Sequence, residues 1–189
     1  MRDSITQKKQ QFLDRYNKPR TVEKAASKAI SAATQHNSLY SKQIKDKEKF
    51  PIREGWTQYL IKLSEKFKVQ VSERSYESEI LALKDSMNQQ FKKYFLEVEH
   101  PKYRYAAGFR ISHSQKSIGV FLKHLWCMDK IVTPPQCPVD RIILEKAEIK
   151  YQKANWAYVN TIEEHRKKIE QLKASSGHSN LAEWELLMF

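Results

Sequence analysis

Between Tyr76 and Val98 the large apolar residues recur as Tyr76, Ile80, Leu83, Met87, Phe91, Tyr94 and Val98. Steps of three and four draw one stripe along a helix; a strand would alternate every second residue. The spacing predicts a helix from about Glu73 to Val98, and a helix with one apolar stripe needs partners to cover it. Trp56, Tyr59, Leu60, Leu63 and Phe67 make a second such stripe, on a helix opening at Pro51–Gly55. Only four of the 189 residues are glycine. That scarcity, with abundant Lys, Gln, Glu and Ala, disfavours a sheet-and-turn protein and favours helices.

The flanking segments continue the pattern. Thr21 is placed to cap a helix carrying Val22, Ala25, Ala26, Ala29, Ile30 and Ala33, a face of mostly small residues. His100-Pro101 stops the helix before it, since proline disfavours α geometry in the preceding residue. The run KYRYAAGFRIS that follows is read as a small β-hairpin near 103–111. Ser112 or Ser114 then caps an amphipathic, basic helix to about Lys130. Thr133-Pro134-Pro135-Gln136-Cys137-Pro138 is a rigid connector. From about Val139 the periodicity predicts one long helix to Ala174, stopped at Ser175-Ser176-Gly177. Trp184, Leu187 and Phe189 on the last short segment should dock on the body. The expected fold is all-α, a helical bundle with a long C-terminal helix. Residues 1–50 read as a basic helical arm or connector, and residues 51–189 as a helical core domain in which the long helices from about Glu73 and Val139 lie side by side.

No apolar run is long enough to span a membrane. The N-terminal sequence has no apolar core of a secretory signal. Cys127 and Cys137 make no disulfide framework. The expected setting is cytoplasmic, with free thiols.

The formal charge is +12, enough to attract polyanions over long range. Residues 1–50 hold twelve Lys and Arg against five Asp and Glu. The stretch from His100 to Met128 holds no carboxylate at all, while Lys102, Arg104, Arg110, Lys116 and Lys123 alternate with rings and three histidines. Cations neutralise phosphates and flat rings stack on bases. The expected nucleic-acid contacts are therefore Lys102, Tyr103, Arg104, Tyr105, Arg110, His113, Lys116 and Lys123. The turn after Gly108 leads into a helix N-terminus that could hold one phosphate, although ordinary serine capping explains the same residues.

Catalytic patterns are thin. His124, Cys127, Cys137 and His113 were they to converge would make a zinc set, but paired C-x-x-C spacing is absent. Asp140, Glu148 and Lys150 are the residues a metal-dependent nuclease would use. Neither Arg110 with His113 nor His165 with Arg166 has a spacing specific to acid–base chemistry. No catalytic residue, metal ligand or cofactor is assigned.

Two blocks, SQKSIGVFLKHLWC (Ser114–Cys127) and PPQCPVDRIIL (Pro134–Leu144), with AEWEL (Ala182–Leu186), resemble a group of small prokaryotic proteins. The pattern of that group has an aromatic where His124 stands and a histidine where Gln136 stands, which argues against a metal role here. The resemblance carries no activity. It implies a bacterial or mobile-element origin near restriction or defence genes, and a structural role for Trp126 and Cys127 against the proline connector.

The reading that follows is a nucleic-acid-binding protein without catalysis, with DNA or RNA as partner and a protein partner or a second copy left open. The rivals are a metal-dependent nuclease and a protein-interaction module of a defence or phage system.

Overall fold

The organising element is a helix buried on all sides. A computed structural model describes residues 2–97, 106–149 and 155–188. Among the described residues the chain forms α1 (Arg2–Tyr16), α2 (Val22–Thr34), α3 (Asp46–Ser64), α4 (Glu73–Phe91), α5 (Ile111–Cys127), α6 (Arg141–Lys146), α7 (Ile162–Ser176) and α8 (Leu181–Leu187). The fold is all-α, as its periodicity predicts. Every residue of α5 except Val120 is buried.

Helix α2 lies closest to α5. Its Ala25, Ala26, Ala29 and Ala33 have no exposed surface, and side chains this small let two backbones approach closely. Thr21 caps α2, its Oγ1 accepting from Lys24 N at 3.2 Å, as expected. Phe12 and Leu13 of α1 enter the same core as Trp56, Ile80 and Phe121. The expected arm at residues 1–50 is therefore corrected: α1 and α2 are core helices, because an alanine face finds its cover only against another helix. A second, smaller core joins Cys137, Val139, Leu144, Trp156, Ile169 and Trp184.

Other boundaries also move. Helix α3 begins at Asp46, five residues before Pro51, with Lys45 N donating to Glu48 Oε2 at 2.8 Å. Helix α4 ends at Phe91, because the chain leaves it to pair Phe95 with Tyr40 in an isolated antiparallel bridge. The expected hairpin fails on its described half: 106–110 is a loop running into α5, and Tyr103 to Tyr105 lie outside the described residues. At its start Arg110 N donates to His113 Nδ1 at 3.2 Å, so Ser112 and Ser114 are not the caps.

The long C-terminal helix is two helices. Helix α6 stops after six residues in a turn where Glu148 N donates to Glu145 O at 2.9 Å and Ile149 N to Leu144 O at 3.0 Å. Glu148 sits at φ +58, the left-handed residue this helix-ending turn requires. Helix α7 then restarts at Thr161, whose Oγ1 accepts from Glu164 N while Glu164 Oε2 accepts from Thr161 N. Such a reciprocal cap stabilises a helix start by about 1 kcal/mol. Helices α4 and α7 are tied only by side chains, Arg166 forking onto Glu77 and Lys173 pairing with Glu73; the side-by-side frame expected of them is corrected, since α4 packs against α5. Trp184 docks in the core as expected; Leu187 is half-buried and Phe189 lies outside the described residues.

Candidate functional site

Helix α5 carries polar groups into the interior, and buried polar groups must be paired. Gln115 docks its amide on the backbone of Val139, donating to its O at 2.9 Å and accepting from its N at 3.1 Å. Ser117 Oγ accepts from Trp56 Nε1 at 3.2 Å. Arg110 donates to Asn37 Oδ1 at 2.5 Å and to Ser38 O at 2.7 Å. His113 Nδ1 accepts from Arg110 N, so its proton is on Nε2, 3.2 Å from Asn37 O. Burial, then the Arg110 guanidinium, holds the His113 pKa well below the usual imidazole value.

The four described members of the expected nucleic-acid patch are thus corrected. Arg110, His113, Lys116 and Lys123 are all buried. Lys116 Nζ pairs with Asp140 Oδ2 at 2.6 Å, and Lys123 Nζ with Glu185 Oε2 at 2.6 Å. A carboxylate-free stretch of sequence recruits its acids from distant helices, so local composition said nothing about surface charge. Lys102, Tyr103, Arg104 and Tyr105 lie outside the described residues.

The ion pairs face a cleft of about 770 Å³. Its floor is a stripe of α5, Lys116, Val120, Lys123 and His124. Helices α1 and α2 form one wall, and the segments around Pro138–Ile142 and Asn155–Tyr158 form the other. Lys116 also sits 5.9 Å from the Trp156 ring and Lys123 4.5 Å from the Phe12 ring. Burial would push Asp140 up, but the Lys116 charge, its hydrogen bond and the Ile143 N–H hold the carboxyl below its ordinary value. The His124 ring is tilted against that of Phe12, centroids 4.6 Å apart, and its Nδ1 is buried without a hydrogen-bond partner. Burial, Lys123 and Lys28 lower the His124 pKa to about 4.

A second feature lies on the surface around the Tyr40–Phe95 bridge. Ser41 N donates to Tyr94 O at 3.0 Å and Leu96 N to Leu39 O at 2.9 Å. The bridge ties the stretch leading into α3 to the stretch leaving α4. Lys49 lies 5.7 Å from the Tyr40 ring, and a Cβ on Gly55 would stand 3.1 Å from the Phe91 ring. Lys42, Lys45, Lys47, Arg53, Lys92 and Lys93 are exposed on these two stretches and make no ion pair among the described residues. Phe50, on the first of these stretches, is 70% exposed.

No family model, curated protein or solved structure matches this chain. Its function must be read from these two features.

The catalytic rivals find no convergent geometry. Among the described residues no three His, Cys, Asp or Glu side chains come together to hold a metal ion. His113 has both nitrogens engaged, and burial raises the Cys127 thiol to about 12 and the Cys137 thiol further still. Asp140 caps α6 through Ile143 N at 2.9 Å, Glu148 is exposed in the turn after it, and Lys150 lies outside the described residues. His165 is buried, its Nε2 2.8 Å from Gln136 Oε1, away from any carboxylate partner among the described residues. No helix there is long and apolar enough to cross a membrane. The exposed edge at the bridge was missed by sequence reasoning, since its cations come from stretches about 40 residues apart and only tertiary pairing unites them.

Proposed function

We propose that this chain binds nucleic acid without catalysis, through the basic edge at the Tyr40–Phe95 bridge rather than through α5. The carrying observation is that this one bridge joins the two stretches on which Lys42, Lys45, Lys47, Arg53, Lys92, Lys93 and the Phe50 ring are exposed. Residues 40–54 and 92–97 together hold seven Lys and Arg against Asp46, Glu48, Glu54 and Glu97. Asp46 is engaged by Lys49 at 2.8 Å and Glu48 by the α3 cap, so two of the four acids are held back from the others. Exposed cations without carboxylate partners are the ones that can exchange counterions for phosphates. A projecting phenyl ring supplies the stacking surface that single-stranded binding uses.

The test is a salt series with duplex and single-stranded DNA and RNA. Replacing Lys47, Lys92 and Lys93 by glutamine should weaken binding and flatten the slope of log affinity against log salt by about 2 to 3. Replacing Lys130, Lys146 and Lys167 by glutamine removes the same charge elsewhere. Equal losses from the two triples would reduce the reading to general charge, and no loss from the first would overturn it.

A further inference from the structure

The cleft beside α5 has features that neither stability nor the basic edge explains. Two lysine–carboxylate pairs are held there with lysine side chains only 9% and 6% exposed. Taking such pairs out of water costs about as much as their attraction returns, and apolar replacements of similar volume usually serve a core as well. What the pairs do achieve is to fix two ammonium groups at one place on the cleft floor. The stripe Lys116, Val120, Lys123 and His124 follows helical spacing, so all four present themselves on one line of α5. Beside them, the buried His124 Nδ1 faces no hydrogen-bonding partner, a capacity left open where native interiors rarely leave one.

The charge balance identifies the kind of ligand. The lining holds Lys28, Lys116, Lys123 and Arg141 against Asp140 and Glu185, two more cations than anions apart from the histidines, with Arg141 Nε also 3.6 Å from Glu145 Oε1 beside the cleft. The rings of Tyr16, Trp156 and Tyr158 supply apolar wall. The volume, about 770 Å³, falls in the usual range for small-ligand sites, about 300–1,000 Å³.

We propose that this cleft binds a nucleoside monophosphate unit, its phosphate dianion held by Lys28 and Arg141 at the rim with the two floor lysines behind, and its base against the aromatic wall. An inorganic anion would leave the rings unused. A triphosphate would carry about twice the negative charge that the surplus balances. The same chemistry is offered by a free mononucleotide and by the phosphorylated end of a strand. The proposal stands apart from the basic edge and does not depend on it.

Calorimetry on the full chain tests it with AMP, GMP, CMP and UMP, each against its nucleoside and against inorganic phosphate. At least one monophosphate should bind at a 1:1 ratio, with its nucleoside and phosphate alone about tenfold weaker or more. Lys28→Gln and Arg141→Gln, both at the rim, should each weaken it by about tenfold. Ser31→Trp, an exposed wall position, should block the cleft while thermal unfolding stays unchanged. A 5′-phosphorylated oligonucleotide that competes while its unphosphorylated twin does not would assign the strand end; competition by the mononucleotide alone would assign the free ligand. The Lys47, Lys92 and Lys93 triple variant should keep mononucleotide binding intact, which separates this site from the edge. Absence of saturable binding by every monophosphate up to about 10 mM and by the phosphorylated oligonucleotide would overturn the proposal, as would binding that survives both Ser31→Trp and the rim variants.

Discussion

The Lys123 ammonium on α5 and the Glu185 carboxylate on α8 lie 2.6 Å apart, with side chains only 6% and 12% exposed. This contact lines the cleft and ties the last helix to the central one. Its two charges stand 62 residues apart in the chain. Neither charge has water enough to stand alone, so the pair must be kept or lost together.

Glu185→Gln leaves the Lys123 charge without its carboxylate and should lower stability by about 3 kcal/mol. Replacing both residues, Lys123→Met with Glu185→Leu, should recover most of that loss, because the desolvation cost disappears with the charges. Urea unfolding of Glu185→Gln and of the double variant measures this. A double variant no better than Glu185→Gln would show that shape, not charge, holds α8 in place.

Gly119 meets the proline connector so closely that an added Cβ would stand 2.8 Å from Pro138 Cα. Backbone on that side cannot give way as the tip of a flexible side chain would. Gly119→Ala should destabilise by about 2 kcal/mol despite alanine's better helix propensity. Gly177, in the left-handed region at φ +68 with nothing within 4 Å of a Cβ, is the contrast. There alanine should cost about 1 kcal/mol through backbone strain alone. Similar losses at the two sites would mean that the Pro138 segment shifts freely.

These contacts also mark where the sequence stops being readable. The stripes of α3 and α4 and the alanine face of α2 were legible, since each is a local periodicity whose buried side the fold respects. The break between α6 and α7 was hidden because the left-handed position of its turn is Glu148 rather than glycine. The restart was legible and overlooked: Thr161 and Glu164 carry the spacing of a reciprocal cap. The polar face of α5 misled most. Its Lys116 and Lys123 read as exposed phosphate contacts, yet their carboxylates arrive from Asp140 and Glu185, which no local pattern connects to them. The cleft they line was invisible for the same reason.

Cys127 and Cys137 are buried free thiols, and burial drives the Cys127 pKa up to about 12. Only thiolate reacts quickly with disulfide reagents. In the native protein at pH 8, labelling of both should therefore proceed only through opening of the cores. Its rate should rise in parallel with the unfolded fraction as urea is added. Prompt labelling of one thiol without urea would reveal that its core opens locally, below the global unfolding free energy.

Stability should peak in neutral to mildly alkaline solution, and the signs follow from which state takes up protons. His113, His124 and His165 all have lowered pKa values, the last two about 4, with burial the leading cause in each. Unfolded imidazoles titrate near 6.5. As pH falls below that value the unfolded chain binds protons that the folded chain refuses, so stability drops toward pH 4. Each such histidine contributes about 1.4 kcal/mol per pH unit within that window. The thiols act on the other flank. Their folded pKa values lie above the unfolded value of 9.0, so the unfolded chain sheds protons first and stability declines as pH rises past 9. Urea unfolding from pH 4.5 to 9.5 measures both limbs, and His165→Gln should make the acid limb shallower by one proton's worth. An acid limb unchanged in that variant would mean that His165 titrates alike in both states, contrary to its burial against Gln136.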